Sequence, residues 1–191
     1  MNIFNKKLIL ASQSPRRKQL LTEAGFQFQV KASDVEESYP ETMPVHDVPE
    51  FLAHKKANAS AHVLEDAETI IIASDCVVIL DEKIYGKPTD FEDACQILRA
   101  LSGRMHEVVT GVCLMGRQKT VTFKGISKVY FDTLSDDEIE YYVTKYQPYD
   151  KAGAYAIQEW IGLCKILKIE GTYSNIMGLP MDLVYSGLQA F

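Results

Sequence analysis

Two arginines stand where a helix should least favour them. Residues 8–21 read Leu-Ile-Leu-Ala-Ser-Gln-Ser-Pro-Arg-Arg-Lys-Gln-Leu-Leu. The apolar run 8–11 predicts a buried strand. Ser14 as N-cap with Pro15 at the first helical position predicts a helix that turns Leu20 and Leu21 inward. Arg16 and Arg17 in its first turn oppose the partial positive charge of the helix N-terminus, at a cost of roughly a few tenths of a kcal/mol each. Free backbone N–H groups, the hydroxyls of Ser12 and Ser14 and two guanidinium groups at one strand-to-helix turn suit an anion, most simply a phosphate chain. The competing reading is an ordinary Ser-Pro helix start with two solvated arginines, and this stretch alone leaves both open.

A second oddity is Asp75, a carboxylate inside Ile-Ile-Ile-Ala-Ser-Asp-Cys-Val-Val-Ile-Leu at 70–80. Burying it unpaired would cost several kcal/mol, so it must be paired, bind a cation or open onto a cleft, unless it marks a bulge and bonds backbone amides. Lys87, in Gly-Lys-Pro, follows twelve residues later, across a short return strand that brings it back toward Asp75. Glu36 and Glu37 stand in a proline-containing loop, and Lys55 and Lys56 lie on a helix; each pair also reads as plain solvated charge. Arginine and lysine for phosphates, with Asp and Glu for a hard divalent cation or a water, is an inventory for phosphoanhydride hydrolysis. No Walker-type loop, Gly-x-Ser-x-Gly elbow or dinucleotide fingerprint is present.

The elements that must position these residues follow from periodicity. Strands are expected at 8–11, 26–30, 70–80, 84–85 and 163–169, and two β-rich runs at 106–115 and 120–131 flank Gly116 as a hairpin. Helices are expected at 15–24, at 50–64 with Phe51, Leu52, Ala59 and Val63 at helical spacing, and at 91–101 with Phe91, Ala94, Leu98 and Leu101 inward. Ser135 and Glu138 form a capping box for a helix through about residue 143, and a last helix ends near Leu188. Strands and helices alternate at first, but the central hairpin argues against a purely parallel sheet. One α/β domain spanning 1–191 with a mixed sheet is the expectation.

Length allows one good-sized domain, or two lobes sharing a core. A net charge of −6 argues against general affinity for nucleic acid or an anionic membrane. No apolar run approaches the length of a membrane span, and residues 1–7 lack the apolar core of a signal peptide. The widely spaced Cys76, Cys95, Cys113 and Cys164 read as reduced core thiols of a cytoplasmic protein, and the four histidines show no zinc-type spacing.

Taken together, the motifs resemble the Maf family of nucleoside triphosphate pyrophosphatases over nearly the whole chain. They run from 11–21 through Val-Glu-Glu at 35–37, Ala-His-Lys-Lys-Ala at 53–57, Ala-Ser-Asp-Cys-Val-Val at 73–78 and Gly-Lys-Pro at 86–88. They continue through Leu-Ser-Gly-Arg-Met-His at 101–106, Val-Thr-Gly-Val at 109–112, Asp-Lys-Ala-Gly-Ala-Tyr-Ala-Ile-Gln at 150–158 and Met-Gly-Leu-Pro at 177–180. The resemblance implies an extended mixed sheet flanked by helices, two lobes around a central cleft, and kinship with the inosine triphosphatase fold. It implies hydrolysis of nucleoside triphosphates to the monophosphate and pyrophosphate with a divalent metal, Mg²⁺ or Mn²⁺. Asp75 becomes the proton acceptor for the attacking water, and Glu37, of the acidic pair, joins it in metal binding or charge placement. Ser12, Arg16, Arg17, Lys56 and Lys87 become ligands of the triphosphate.

Arginine at 16 and glutamine at 158 resemble the branch that acts on dTTP and UTP, so Arg16 is expected to help choose the base while Arg17 serves phosphate alone. The chain departs from that branch at Ser74 and Cys76, where the pattern has alanine and threonine. Cysteine is a poor hydrogen-bond donor, so a base contact there weakens by roughly 0.5–1.5 kcal/mol. Two competitors remain: a purine house-cleaning enzyme of the inosine/xanthosine triphosphatase kind, and a non-catalytic interaction protein of cell division. The sequence leaves a homodimer open.

Overall fold

The computed structural model describes residues 3, 6–32 and 34–191, so the reading of residues 1–7 falls in part outside the described residues. Seven strands, β1 (Lys7–Leu10), β2 (Phe28–Val30), β3 (Thr69–Leu80), β4 (Lys83–Tyr85), β5 (Met105–Met115), β6 (Thr120–Phe131) and β7 (Ile166–Glu170), form one sheet. Its order is β2-β1-β3-β5-β6-β7, with β4 paired to β3. β1 runs parallel to both β2 and β3, whereas β4 and β7 pair antiparallel with β3 and β6, so the sheet is mixed as expected. By contact the chain divides into two compact units. The first comprises the residues up to Asp75, Thr110–Gly125 and Gly178–Phe191; the second comprises Cys76–Val109 and Ile126–Met177.

The first unit holds α1 (Pro15–Glu23), α2 (Val48–Ala59) and α7 (Met181–Gln189). Ser14 caps α1 by accepting from the Arg17 N–H, and Pro15 occupies the first turn, as its sequence requires. Leu20 and Leu21 are its buried residues. α2 departs from its predicted face. Phe51 and Ala59 are exposed, and Val48, Pro49, Leu52, Ala53 and Ala57 are buried instead. Small alanines let this helix lie close, and its start is closer still: a Cβ at Gly111 would fall 2.2 Å from the Pro49 carbonyl carbon, so only glycine fits there. The core below is Ile9, Ala11, Ala53, Ala57, Ile71, Ala73, Cys113 and their neighbours. α2 begins two residues before its predicted start and stops at Ala59, with a separate 3-10 turn at Ala61–Val63.

The second unit holds α3 (Phe91–Leu101), α4 (Asp136–Tyr146), α5 (Trp160–Cys164) and α6 (Tyr173–Ile176). Asp81 and Glu82, both at positive φ, turn β3 into β4, the geometry a two-residue hairpin loop needs. Asp90 caps α3, and Ala94, Leu98 and Leu101 point inward, but Phe91 in its first turn is exposed. The Ser135–Glu138 capping box is present, and α4 runs on to Tyr146 because Gln147 ends it in the left-handed region. The strand expected at 163–169 is divided: Leu163 belongs to α5 and is 80% exposed, and β7 starts only at Ile166, beside a bulge against β6. The core here is larger and more aromatic, built from Leu98, Leu101, Phe131, Tyr142, Tyr155 and Ile161 among others. None of the four cysteines is in a disulfide; Cys95 and Cys113 are buried, Cys76 is half-buried and Cys164 is exposed.

Candidate active site

The first unit gathers five of the candidate residues into two hydrogen-bonded groups. β3 delivers Asp75, only 7% exposed, at the end of its run of isoleucines. From α2, Lys56 reaches it: Nζ donates to Asp75 Oδ1 at 2.5 Å and to Glu37 Oε1 at 2.7 Å. The buried carboxylate is therefore paired, as its position demanded, and the same ammonium draws a second carboxylate alongside. Lys55 fastens the loop that carries Glu37, donating to the hydroxyl and carbonyl oxygens of Ser38 at 3.0 and 3.2 Å. Neither lysine is idle surface charge.

The second group is the turn between β1 and α1. Arg17 Nη1 donates to Ser12 Oγ at 2.9 Å, and the Ser14 N–H donates to the same oxygen at 3.2 Å. Ser12 Oγ thus accepts twice within this turn. Arg17 Nε donates to the Gly178 carbonyl at 2.8 Å, across 161 residues of sequence. That carbonyl also accepts from Ser74 Oγ at 3.0 Å. Arg16 lies half-buried in the same first turn. Sequence reasoning named Met-Gly-Leu-Pro as a motif but missed what Gly178 does. A backbone acceptor has no residue-type signature, and only its positive φ of 101° agrees with the choice of glycine.

Cys76, Lys87 and Gln158 belong to the second unit. Lys87 and Gln158 are exposed. The Gly153 N–H donates to the Gly86 carbonyl at 3.0 Å, which ties the Lys87 loop to the segment ending at Gln158. Val78 packs so tightly under Gly153 that a Cβ there would lie 2.6 Å from a Val78 methyl. His106 and Tyr155 are buried behind this segment. His106 Nε2 and the Tyr155 hydroxyl share a hydrogen bond of 2.8 Å, with the imidazole edge-on to Phe131. Burial pushes the His106 pKa down to about 3 and raises that of Tyr155 well above its ordinary value. The Tyr142 hydroxyl donates to Glu159 and accepts from the Ala156 N–H, fixing the chain on both sides of Gln158.

A cavity of about 890 Å³ in the first unit contains none of these residues. It is lined by Lys7, Gln29, Lys31 and Asp66 near the start of β1, and the Lys7 amine is already taken by Asp66 at 2.5 Å.

A mixed-sheet α/β protein with paired cations and carboxylates is what the fold and these groups define. The Maf-like protein family model matches residues 7–191, and the chain belongs to that family. It is 49% identical to a dTTP/UTP pyrophosphatase of Porphyromonas gingivalis, over all of this chain and 96% of that one. With the dTTP/UTP pyrophosphatase of Bacteroides thetaiotaomicron it shares 45% identity over 98% of this chain and 97% of the relative. Among solved structures it resembles the Ham1 protein of Staphylococcus aureus, with a TM-score of 0.56 over 97% of this chain and 99% of the other. At 18% identity that likeness speaks to the fold alone.

Proposed function

We propose that this protein hydrolyses nucleoside triphosphates, dTTP and UTP foremost, to the monophosphate and pyrophosphate, as a house-cleaning enzyme of the nucleotide pool. Family membership and the names of its relatives support the reaction. The observation that carries the mechanism is Asp75, nearly buried, with Lys56 and Glu37 against it. Asp75 takes a proton from a water as that water's oxygen bonds to the α-phosphorus; the bond from the α-phosphorus to the bridging oxygen breaks and pyrophosphate leaves. Ser12, Arg16, Arg17, Lys56 and Lys87 hold the triphosphate and balance the charge that develops on the leaving group. Cys76 and Gln158, with Arg16, read the base.

Glu37 and Asp75 are hard oxygen donors, each within 2.7 Å of one ammonium nitrogen. Two carboxylates suit Mg²⁺ or Mn²⁺, which take the remaining ligands from water and phosphate. Among the described residues no group of three or more His, Cys, Asp or Glu side chains gathers as a ready-made metal site, so the cation would rest on these two carboxylates. In this reading Glu37 and Asp75 hold the cation, which when bound would draw charge from the phosphate oxygens. Among the described residues no helix is long and apolar enough to cross a membrane. The cytoplasm, where nucleoside triphosphates are made and spent, is the compartment this reading assigns.

The test is a panel of triphosphates with Mg²⁺ or Mn²⁺, scored for pyrophosphate. Release from dTTP and UTP ahead of purines is expected. Release of inorganic phosphate would overturn the reaction, and preference for ITP and XTP would move the protein to the purine house-cleaning class.

A further inference from the structure

We infer that Ser74, which touches neither carboxylate of the site, is a positioning residue for Arg17 and acts through the Gly178 carbonyl. This rests on the reading that Arg17 holds phosphate. Ser74 is fully buried, and its hydroxyl spends its proton on Gly178 O at 3.0 Å. The same oxygen receives Arg17 Nε at 2.8 Å, while Nη1 of that guanidinium goes to Ser12 at 2.9 Å. Two of the arginine's bonds thus fix the plane of its fork, and one of the two acceptors is itself held by Ser74. A guanidinium keeps its donors in a rigid plane, so fixing one edge aims the rest.

The carbonyl needs the help. Gly178 sits at φ +101°, where the backbone is least constrained by its own residue, on a segment joining the short α6 to α7. Ser74 supplies an anchor from the middle of the sheet, 104 residues away in sequence. Successive residues of a strand face opposite sides. Asp75 therefore meets Lys56 on one side of β3 while Ser74 meets Gly178 on the other, so the strand that places the proton acceptor also sets the phosphate arginine. One strand is the common reference for both halves of the reaction.

Binding of inorganic pyrophosphate, measured by calorimetry on the full chain, is the direct test, with Ser74→Ala and the isosteric, poorly donating Ser74→Cys. Loss of one buried hydroxyl bond should weaken pyrophosphate by about three- to tenfold in both variants. The triphosphate KM should rise, and the pH profile of kcat should stay put because Asp75 and Lys56 are untouched. In an Arg17→Ala background, Ser74→Ala should add nothing. Unchanged pyrophosphate affinity in both serine variants, or a loss that adds in full to that of Arg17→Ala, would overturn the proposal. If Arg17→Ala itself leaves pyrophosphate affinity intact, the phosphate role of Arg17 fails and this inference with it, whereas pyrophosphate release by the unaltered protein would still stand.

Discussion

The two units surround their buried charge differently. Around Asp75 charge is paired: an ammonium between two carboxylates, and an arginine shared between a serine and a carbonyl. Around Tyr155 the second unit packs a histidine, a tyrosine and a phenylalanine edge to face, and its buried Lys151 pairs with Asp150 and Glu159 on the same segment. The boundary between the units falls within β3, between Asp75 and Cys76.

The largest effect expected to break this contrast is at Asp75. Asp75→Asn keeps the shape and removes the proton acceptor, and kcat should fall by about 10²–10⁴-fold in a pyrophosphate-release assay on protein shown to be folded by circular dichroism. Activity within a few-fold of the unaltered protein would remove Asp75 from the chemistry.

The aromatic side responds through stability instead. His106 is held near a pKa of 3 in the folded chain by burial, against about 6.5 when unfolded. Between those values the unfolded state binds the extra proton. The stability from a neutral His106 is therefore complete above pH 6.5 and is lost as pH falls toward 3, by up to about 1.4 kcal/mol per pH unit. His106→Gln should flatten that slope in urea unfolding measured across this window. An identical slope in both proteins would show that His106 is not the group titrating.

Smaller effects sharpen the contrast at the base. Arg16→Trp should change the ratio of kcat/KM for UTP over GTP by about tenfold and by more than Arg17→Ala does, since the second arginine is committed to Ser12 and Gly178. Equal shifts from the two would erase the distinction between them. Cys76→Thr restores a hydroxyl and should move pyrimidine selectivity by about two- to tenfold, read from the same ratio.

How much of this was legible beforehand follows the range of the interactions. The Ser14 cap, the Ser135–Glu138 box and the unbroken apolar run of β3 are local, and each stands where the sequence puts it. The buried face of α2 was misread because its contacts run through Ala53, Ala57 and Pro49, whose closeness depends on Gly111 far along the chain. Leu163 alternates well with its neighbours, yet the turn of helix from Trp160 takes it and leaves β7 to begin three residues later. At the site, residue types announced the chemistry but not the partnerships. Lys56 looked like a phosphate ligand and also binds two carboxylates, and the carbonyl that fixes Arg17 belongs to a residue with no side chain. Long-range bonds to backbone leave no trace in composition or periodicity.

The most direct test of the central claim, that Asp75 sends water to the α-phosphorus, is hydrolysis of dTTP or UTP in ¹⁸O-labelled water with mass analysis of both products. Label in the monophosphate and none in the pyrophosphate is the expected result. Label in the pyrophosphate would place the attack on the β-phosphorus and contradict it.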